Sequence, residues 1–474
     1  MARGVTVITA AKLWFVAAGY ALYFGLTRAL GPEDFGLYAV ATSIVSVLNN
    51  VVIAATLQTV SRFTTRDAER AGRVLAAGLR VQAVIGLTLF ALLQLLAGAI
   101  ASFLRDPRLE TPLRVAAAIV PAYALYAVNV GFLNGRRQFG RQASLDITYS
   151  TLRLALTLGA VLLGFGVAGA VAGFAAAALV ILGVSALLVV REPRASAPFS
   201  MREFLHFGGW LVALTLLANL LLTADLWIVK RLADPAVANA RAGVFRAALT
   251  LSQLLYQMLI PIALVLFPTL ARLAASDDPA TARGVVNGAL RYVLIAVLPG
   301  AVLIGALGGD LMGLLYGADY RAGGEWLVFL APAYAGWTLA YLLAVALAGA
   351  GEARAGVTVL AIGLAVQVAA GALLHAGFGP RGVAMGDAIA AACAALTGLV
   401  LATRRFGAVL PVRSLVHALV VAAAALAIAR FVPGPPWTAP IKMAVAAVAG
   451  LAFLHARGEL RRPDRAAPAL AAAS

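Results

Sequence analysis

The sequence predicts an all-α polytopic membrane protein of about 14 transmembrane helices. Of its 474 residues, 62% are hydrophobic and only 12% are charged, roughly half the charged share of a soluble protein. The mean hydropathy is +0.94, and the apolar residues fall in runs of about 17–25, long enough to cross a hydrocarbon core of about 30 Å. The loops between these runs are short and rich in arginine. One soluble core cannot bury so much apolar surface, so lipid must be the solvent for most of it.

The first run, near 5–28, is too long for the roughly 7–15-residue core of a signal peptide and reads as span one. Later runs lie near 36–60, 74–98, 113–133, 143–164, 168–190, 204–228, 243–270, 284–306, 326–348, 355–375, 383–402, 414–431 and 440–456. They divide into an N-lobe of helices 1–6 (1–192), a proline-bearing cytoplasmic linker (193–203) and a C-lobe of helices 7–12 (204–403). Helices 13–14 (404–460) and a disordered cytoplasmic tail (461–474) follow. The longest exterior loop, near 308–325, leaves no room for an extramembrane domain of about 50 residues.

The formal net charge of +17 could mark a nucleic-acid binder, but its placement makes it a topology signal. With the N-terminus inside, the cytoplasmic segments 62–73, 136–141, 191–202, 272–283, 404–413 and 457–465, with adjoining helix ends, hold about 24 Lys and Arg residues. About 12 lie outside. Both termini are therefore expected in the cytoplasm, with membrane lipids and no nucleic acid as partners. The single cysteine, Cys393, sits in an apolar run and reads as a small packing residue.

The two sides of the linker resemble each other. Gly36-Leu37-Tyr38 opens span two, and Gly243-Val244-Phe245 opens span eight, 207 positions later. The same offset sets Ser43, Ser46 and Asn50 opposite Thr250, Gln253 and Gln257, with Ala39 opposite Arg246. FGVAG at 165–169 matches FGPRG at 378–382 at a nearly equal offset. Six spans separate equivalent elements, and an even number preserves orientation. Two parallel six-helix lobes around a central cavity are expected, with an extra C-terminal helix pair.

Polar residues inside these spans are the candidate site. Arg246, Thr250, Gln253 and Gln257 recur at i, i+4, i+7 and i+11, one face of a helix. In lipid such a stripe faces a bundle interior or a watery cavity. Arg153 lies about ten residues into span five, roughly 15 Å deep, with Asp146 and Tyr149 on its face. Neutralisation by Asp146 and a cavity-lining role are both open for it. Arg28 ends span one on the outer side. Arg80 and Arg291 lie about two turns from the cytoplasmic face, where snorkelling accounts for them. Asp225, ending span seven, is either a cation or proton site or the structural partner of Lys230, Arg231 or Arg246. Asp146 is the other ion-coupling candidate.

GFGVAG at 164–169 and GFGPRG at 377–382 satisfy the glycine spacing of a dinucleotide loop, but neither belongs to a βαβ unit, so they read as tight turns. There is no P-loop, HExxH, GxSxG or paired metal-ligand cluster. No cofactor, metal or enzyme activity is expected. Glu33 and Asp34, in a loop of about five residues, read as a turn that caps span two.

Four stretches carry a family resemblance: 30–38 (LGPEDFGLY), 243–272, 315–330 with 347–351 (LYGADYRAGGEWLVFL, LAGAG) and 379–391. In order and spacing they resemble the bacterial polysaccharide (O-antigen-type) flippases of the multidrug/oligosaccharidyl-lipid/polysaccharide exporter superfamily. The resemblance implies two six-helix lobes, alternating access, and flipping of an undecaprenyl-pyrophosphate-linked oligosaccharide to the outer leaflet of the plasma membrane. Polysaccharide assembly proteins are candidate partners, and a monomer is expected. Arg246 and Arg153 would then meet the pyrophosphate, with Gln253, Gln257, Asn50, Ser46 and Tyr149 around the sugar. Span two has no cation between Phe35 and Ser61, a departure from relatives that flip the peptidoglycan precursor. Three rivals are a peptidoglycan-precursor flippase, a cation-coupled drug or metabolite antiporter of the same superfamily, and a membrane polymerase or ligase. The last keeps its catalytic groups on a large exterior loop, which is missing here.

Overall fold

The computed structural model describes residues 2–66, 70–189, 201–257, 260–275 and 278–460. Most of the expected linker and the tail at 461–474 lie outside the described residues. Every regular element among those described is helical, as lipid requires of a backbone that must satisfy its own hydrogen bonds.

α1 (Ala2–Arg66) is two spans joined at a break. Gly31 there has φ +72°, which side chains resist, and Pro32 follows it. α2 (Ala71–Phe103) leads to a short turn that carries Asp106 and Arg108. α3 (Glu110–Ala117) and α4 (Ile119–Gly135) come next. α5 (Phe139–Ala160) and α6 (Gly166–Leu188) meet at the glycine turn around Gly164. α7 (Met201–Leu221) and α8 (Ala224–Leu232) bend by 44°. Then come α9 (Ala238–Gln257), α10 (Ile260–Ala275), α11 (Pro279–Ala306), α12 (Gly308–Tyr316) and α13 (Gly324–Gly349). α14 (Ala353–Phe378), α15 (Pro380–Phe406), α16 (Val412–Phe431) and α17 (Ala439–Ala456) complete the chain.

Among the described residues, ten stretches are long and apolar enough to cross a membrane. Two of them, of 57 and 50 residues, are about twice the length a span needs, and they break at Gly31 and Gly164. With these divided and the bent α7–α8 pair counted, the described residues hold about 13 candidate spans; the expected span at 243–270 crosses residues outside the described ones.

By contact the chain divides into two compact units. One is Met1–Thr223 with Asp234–Gly243; the other is Ala224–Ala233 with Val244–Ser474. In the first, α1 packs on α4, α5 and α7. Its second half also meets the start of α9 with no room for side chains. A Cβ on Gly36 would collide with the Asn239 carbonyl oxygen, and one on Gly243 with that of Pro32. These contacts are reciprocal: residues 32 and 36 map onto 239 and 243 at the 207-residue offset of the repeat. Beside this crossing, Asn239 Nδ2 donates to Asp106 Oδ2 at 2.6 Å. Arg108 pairs with Glu33 at 3.0 Å and with Asp106 at 3.2 Å. Glu33 therefore anchors an ion pair as well as a turn, and its hydrogen bond, with that of Asp106, raises the Arg108 guanidinium above its ordinary range.

In the second unit α13 is central, packed on α10, α11, α14 and α15, with Tyr334 and Trp337 fully inside. α16 packs on α11, and α17 on α16. A polar seam on α11 secures this pair. Arg283 Nε donates to Phe406 O at 2.6 Å, Asn287 Nδ2 to Val409 O at 3.0 Å, and Arg291 to Gly458 O at 3.1 Å. These residues recur every four positions, so they share a face. Arg291, expected to snorkel to the cytoplasmic face, reaches the residues just past the end of α17. Its Nε lies 2.8 Å from Glu459 Oε2, and Ser414 and His417 also bind that carboxylate, each at 2.8 Å.

Candidate functional site

Each unit places one arginine among polar and aromatic side chains. In the first unit it is Arg153, on the face of α5 that also carries Asp146 and Tyr149. Its guanidinium carbon lies 4.1 Å from the centre of the Phe174 ring, on α6. Tyr149, Tyr38, Tyr23 and Tyr123 are within electrostatic reach around it. The tyrosines pack edge to face, Tyr123 with Tyr149 at 5.3 Å and with Tyr126 at 5.8 Å. Neutralisation of Arg153 by Asp146 does not occur. Asp146 Oδ2 instead lies 2.8 Å from Lys12 Nζ, because α1 brings an ammonium to α5 one turn below Tyr149. A guanidinium stacked on one face keeps its in-plane N–H groups for acceptors.

The other candidates of this unit lie on α1. Ser46 is half-buried, while Asn50 and Arg28 are exposed. Asn50 Nδ2 donates to Asn219 Oδ1 on α7 at 2.8 Å, which fixes an amide pair across two helices.

In the second unit, the stripe of α9 forms as its spacing implied. Thr250 Oγ1 donates back to Arg246 O at 2.8 Å, and Gln253 Nε2 to the Tyr334 hydroxyl at 3.4 Å. Arg246, Gln253 and Gln257 are half-buried. Asp225 is fully buried at the start of α8, its Oδ1 accepting from Leu226 N at 2.7 Å, and the Arg246 charge acts on it. A second buried carboxylate, Asp387 on α15, went unread in the sequence. It accepts from Trp337 Nε1 at 2.9 Å and from Gln367 Nε2 at 2.7 Å. Asp225 and Asp387 interact through space, and both act on Tyr334. The signal that could have found Asp387 is its position. It is an acid in the middle of a membrane run, in the same stretch that carries the family resemblance.

A multi-pass helical membrane protein with a polar centre in each of two lobes is the architecture of a transporter. Residues 26–323 match the model of a family described as polysaccharide biosynthesis protein, and the chain belongs to that family. Among solved structures it is similar to the lipid II flippase MurJ in an inward closed conformation, with TM-score 0.78 and 13% identity over 96% of this chain and 99% of that one. It is also similar to an inward-facing MATE family multidrug resistance transporter of the MOP superfamily, with TM-score 0.66 and 18% identity over 82% and 94%. A MOP superfamily transporter from Pyrococcus furiosus gives TM-score 0.61 and 19% identity over 86% and 96%. At these identities the likeness is one of fold, and it is the two-lobed fold of the superfamily named from the sequence. These neighbours are a flippase and transporters, not enzymes. No curated protein matches the chain.

Proposed function

We propose that the chain flips an undecaprenyl-pyrophosphate-linked oligosaccharide, a polysaccharide or O-antigen repeat unit, from the cytoplasmic to the outer leaflet of the bacterial plasma membrane by alternating access. The observation that carries this reading is Arg153 among tyrosine hydroxyls in one unit, and Arg246 on a face shared with Thr250, Gln253 and Gln257 in the other, in a chain otherwise so apolar. Guanidinium forks suit phosphate oxygens, and amides and phenols suit sugar hydroxyls. Arg246 and Arg153 contact the pyrophosphate. Gln253, Gln257, Thr250, Asn50, Ser46 and Tyr149 contact the sugar, and Arg28 receives the head at the outer end of span one. Membership of a polysaccharide biosynthesis family supports the substrate class. The chain acts as a monomer with both termini in the cytoplasm, alongside polysaccharide assembly proteins. Cells in which Arg246→Ala and Arg153→Ala proteins, normally expressed, replace the native chain should lose surface polysaccharide; unchanged export contradicts the assignment.

The buried carboxylates supply a coupling site in the same reading. Asp225, joined by Asp387, takes up a cation or proton in the second lobe, and Asp146 does so in the first. They also favour a second reading, cation-coupled antiport of a drug or metabolite. Cation-dependent dye efflux from vesicles without a polysaccharide defect would select it.

A further inference from the structure

The Lys12–Asp146 pair has a lopsided environment. Its carboxylate side chain is 11% exposed and its ammonium side chain 54%. An ammonium has three donors, and among the described residues Lys12 meets one acceptor, Asp146, with the Phe15 ring 5.6 Å away. Lys12 sits about ten residues into α1, some 15 Å along it, where an exposed charge needs water or an anion. Its neighbours Leu13 and Trp14 are 67% and 45% exposed, so charge and apolar surface adjoin. One polar head and one hydrocarbon tail match that surface. The next cation along the α5 face is Arg153, about 10 Å further from Asp146.

We propose that Lys12 and Asp146 form an exchangeable anion site, at which Lys12 trades its carboxylate partner for the pyrophosphate head of a lipid arriving from the inner leaflet. The site is the first station on the way to Arg153, and it rests on the flippase reading. Asp146 holds the ammonium in place when no head is bound and competes with the head when one arrives. The two residues therefore act on binding with opposite signs.

The test uses the full-length chain in nanodiscs of neutral phosphatidylcholine, with radiolabelled undecaprenyl pyrophosphate as probe and thermal melting as a check on folding. Lys12→Met should weaken binding about tenfold, the loss of one charge-assisted hydrogen bond, and Lys12→Arg should restore it. Asp146→Asn should tighten binding several-fold. A structural pair would give weaker binding in both variants, and that outcome, or no change in either, overturns the site while leaving the flippase reading intact. If Lys12→Met does not fold, the sign of the Asp146→Asn effect decides alone. Competition by inorganic pyrophosphate at equal concentration overturns the assignment to a lipid-borne head. A wild-type chain that does not bind the probe overturns both the site and the flippase reading.

Discussion

The Arg153 guanidinium stacks on Phe174 and is encircled by tyrosines. Lysine at this position would keep the charge and lose the planar fork, so Arg153→Lys should support little more transport than Arg153→Ala, about tenfold below wild type. Surface polysaccharide measured at matched expression checks this. Glu459 sets a pH dependence outside the membrane spans. Burial pushes its carboxyl up, but the hydrogen bonds from Ser414 and His417 and the charge of Arg291 outweigh burial and hold it below the usual range. Its stabilising contribution is therefore complete above the ordinary carboxylate value of about 4.3 and is lost as pH falls through the lowered one. Hydrogen exchange in α16 and α17 should stay slow at pH 7 and accelerate below about pH 4, and Glu459→Gln should remove that dependence. Single residues were legible in the sequence where a local pattern exposed them. The stripe of Arg246, Thr250, Gln253 and Gln257 was read from spacing on one helix. The Lys12–Asp146 and Asp387–Trp337 partnerships join distant segments, and helical spacing carries no signal of them.

At the scale of elements, apolar length made the spans readable, and the short loop with Glu33 and Asp34 separated the first two. The 44° bend between α7 and α8 was hidden within what reads as one run, 204–228. There Asp225 bonds the backbone of Leu226, a local bond that competes with helix continuation. The Gly36–Gly243 crossing depends on the absence of side chains. Gly36→Val would press two methyl groups on backbone atoms and should cost about 3 kcal/mol or more, read as a lower melting temperature in detergent. In the seam, Arg291→Ala leaves the Glu459 carboxylate buried with fewer partners. It should destabilise the C-terminal pair by about 3 kcal/mol, read as protease cleavage between α15 and α16 under conditions where the wild-type chain resists.

Among the described residues, each unit holds arginines among polar side chains in otherwise apolar helices: Arg153 in one, Arg246 and Arg291 in the other. Composition alone made the membrane class legible, and the 207-residue offset between the two halves suggested two lobes. The substrate is less legible, because a guanidinium among phenols, or on a helix face shared with amides, suits many anionic glycolipids. The most direct test of the central claim is a flipping assay. Purified protein is reconstituted in liposomes that carry a fluorescent undecaprenyl-pyrophosphate-linked oligosaccharide, and the rate at which the head becomes accessible to a membrane-impermeant quencher is followed. The wild-type chain should accelerate exposure well above protein-free liposomes, and Arg246→Ala should return it to that background. A wild-type rate equal to the background, or an Arg246→Ala rate equal to wild type, would contradict it.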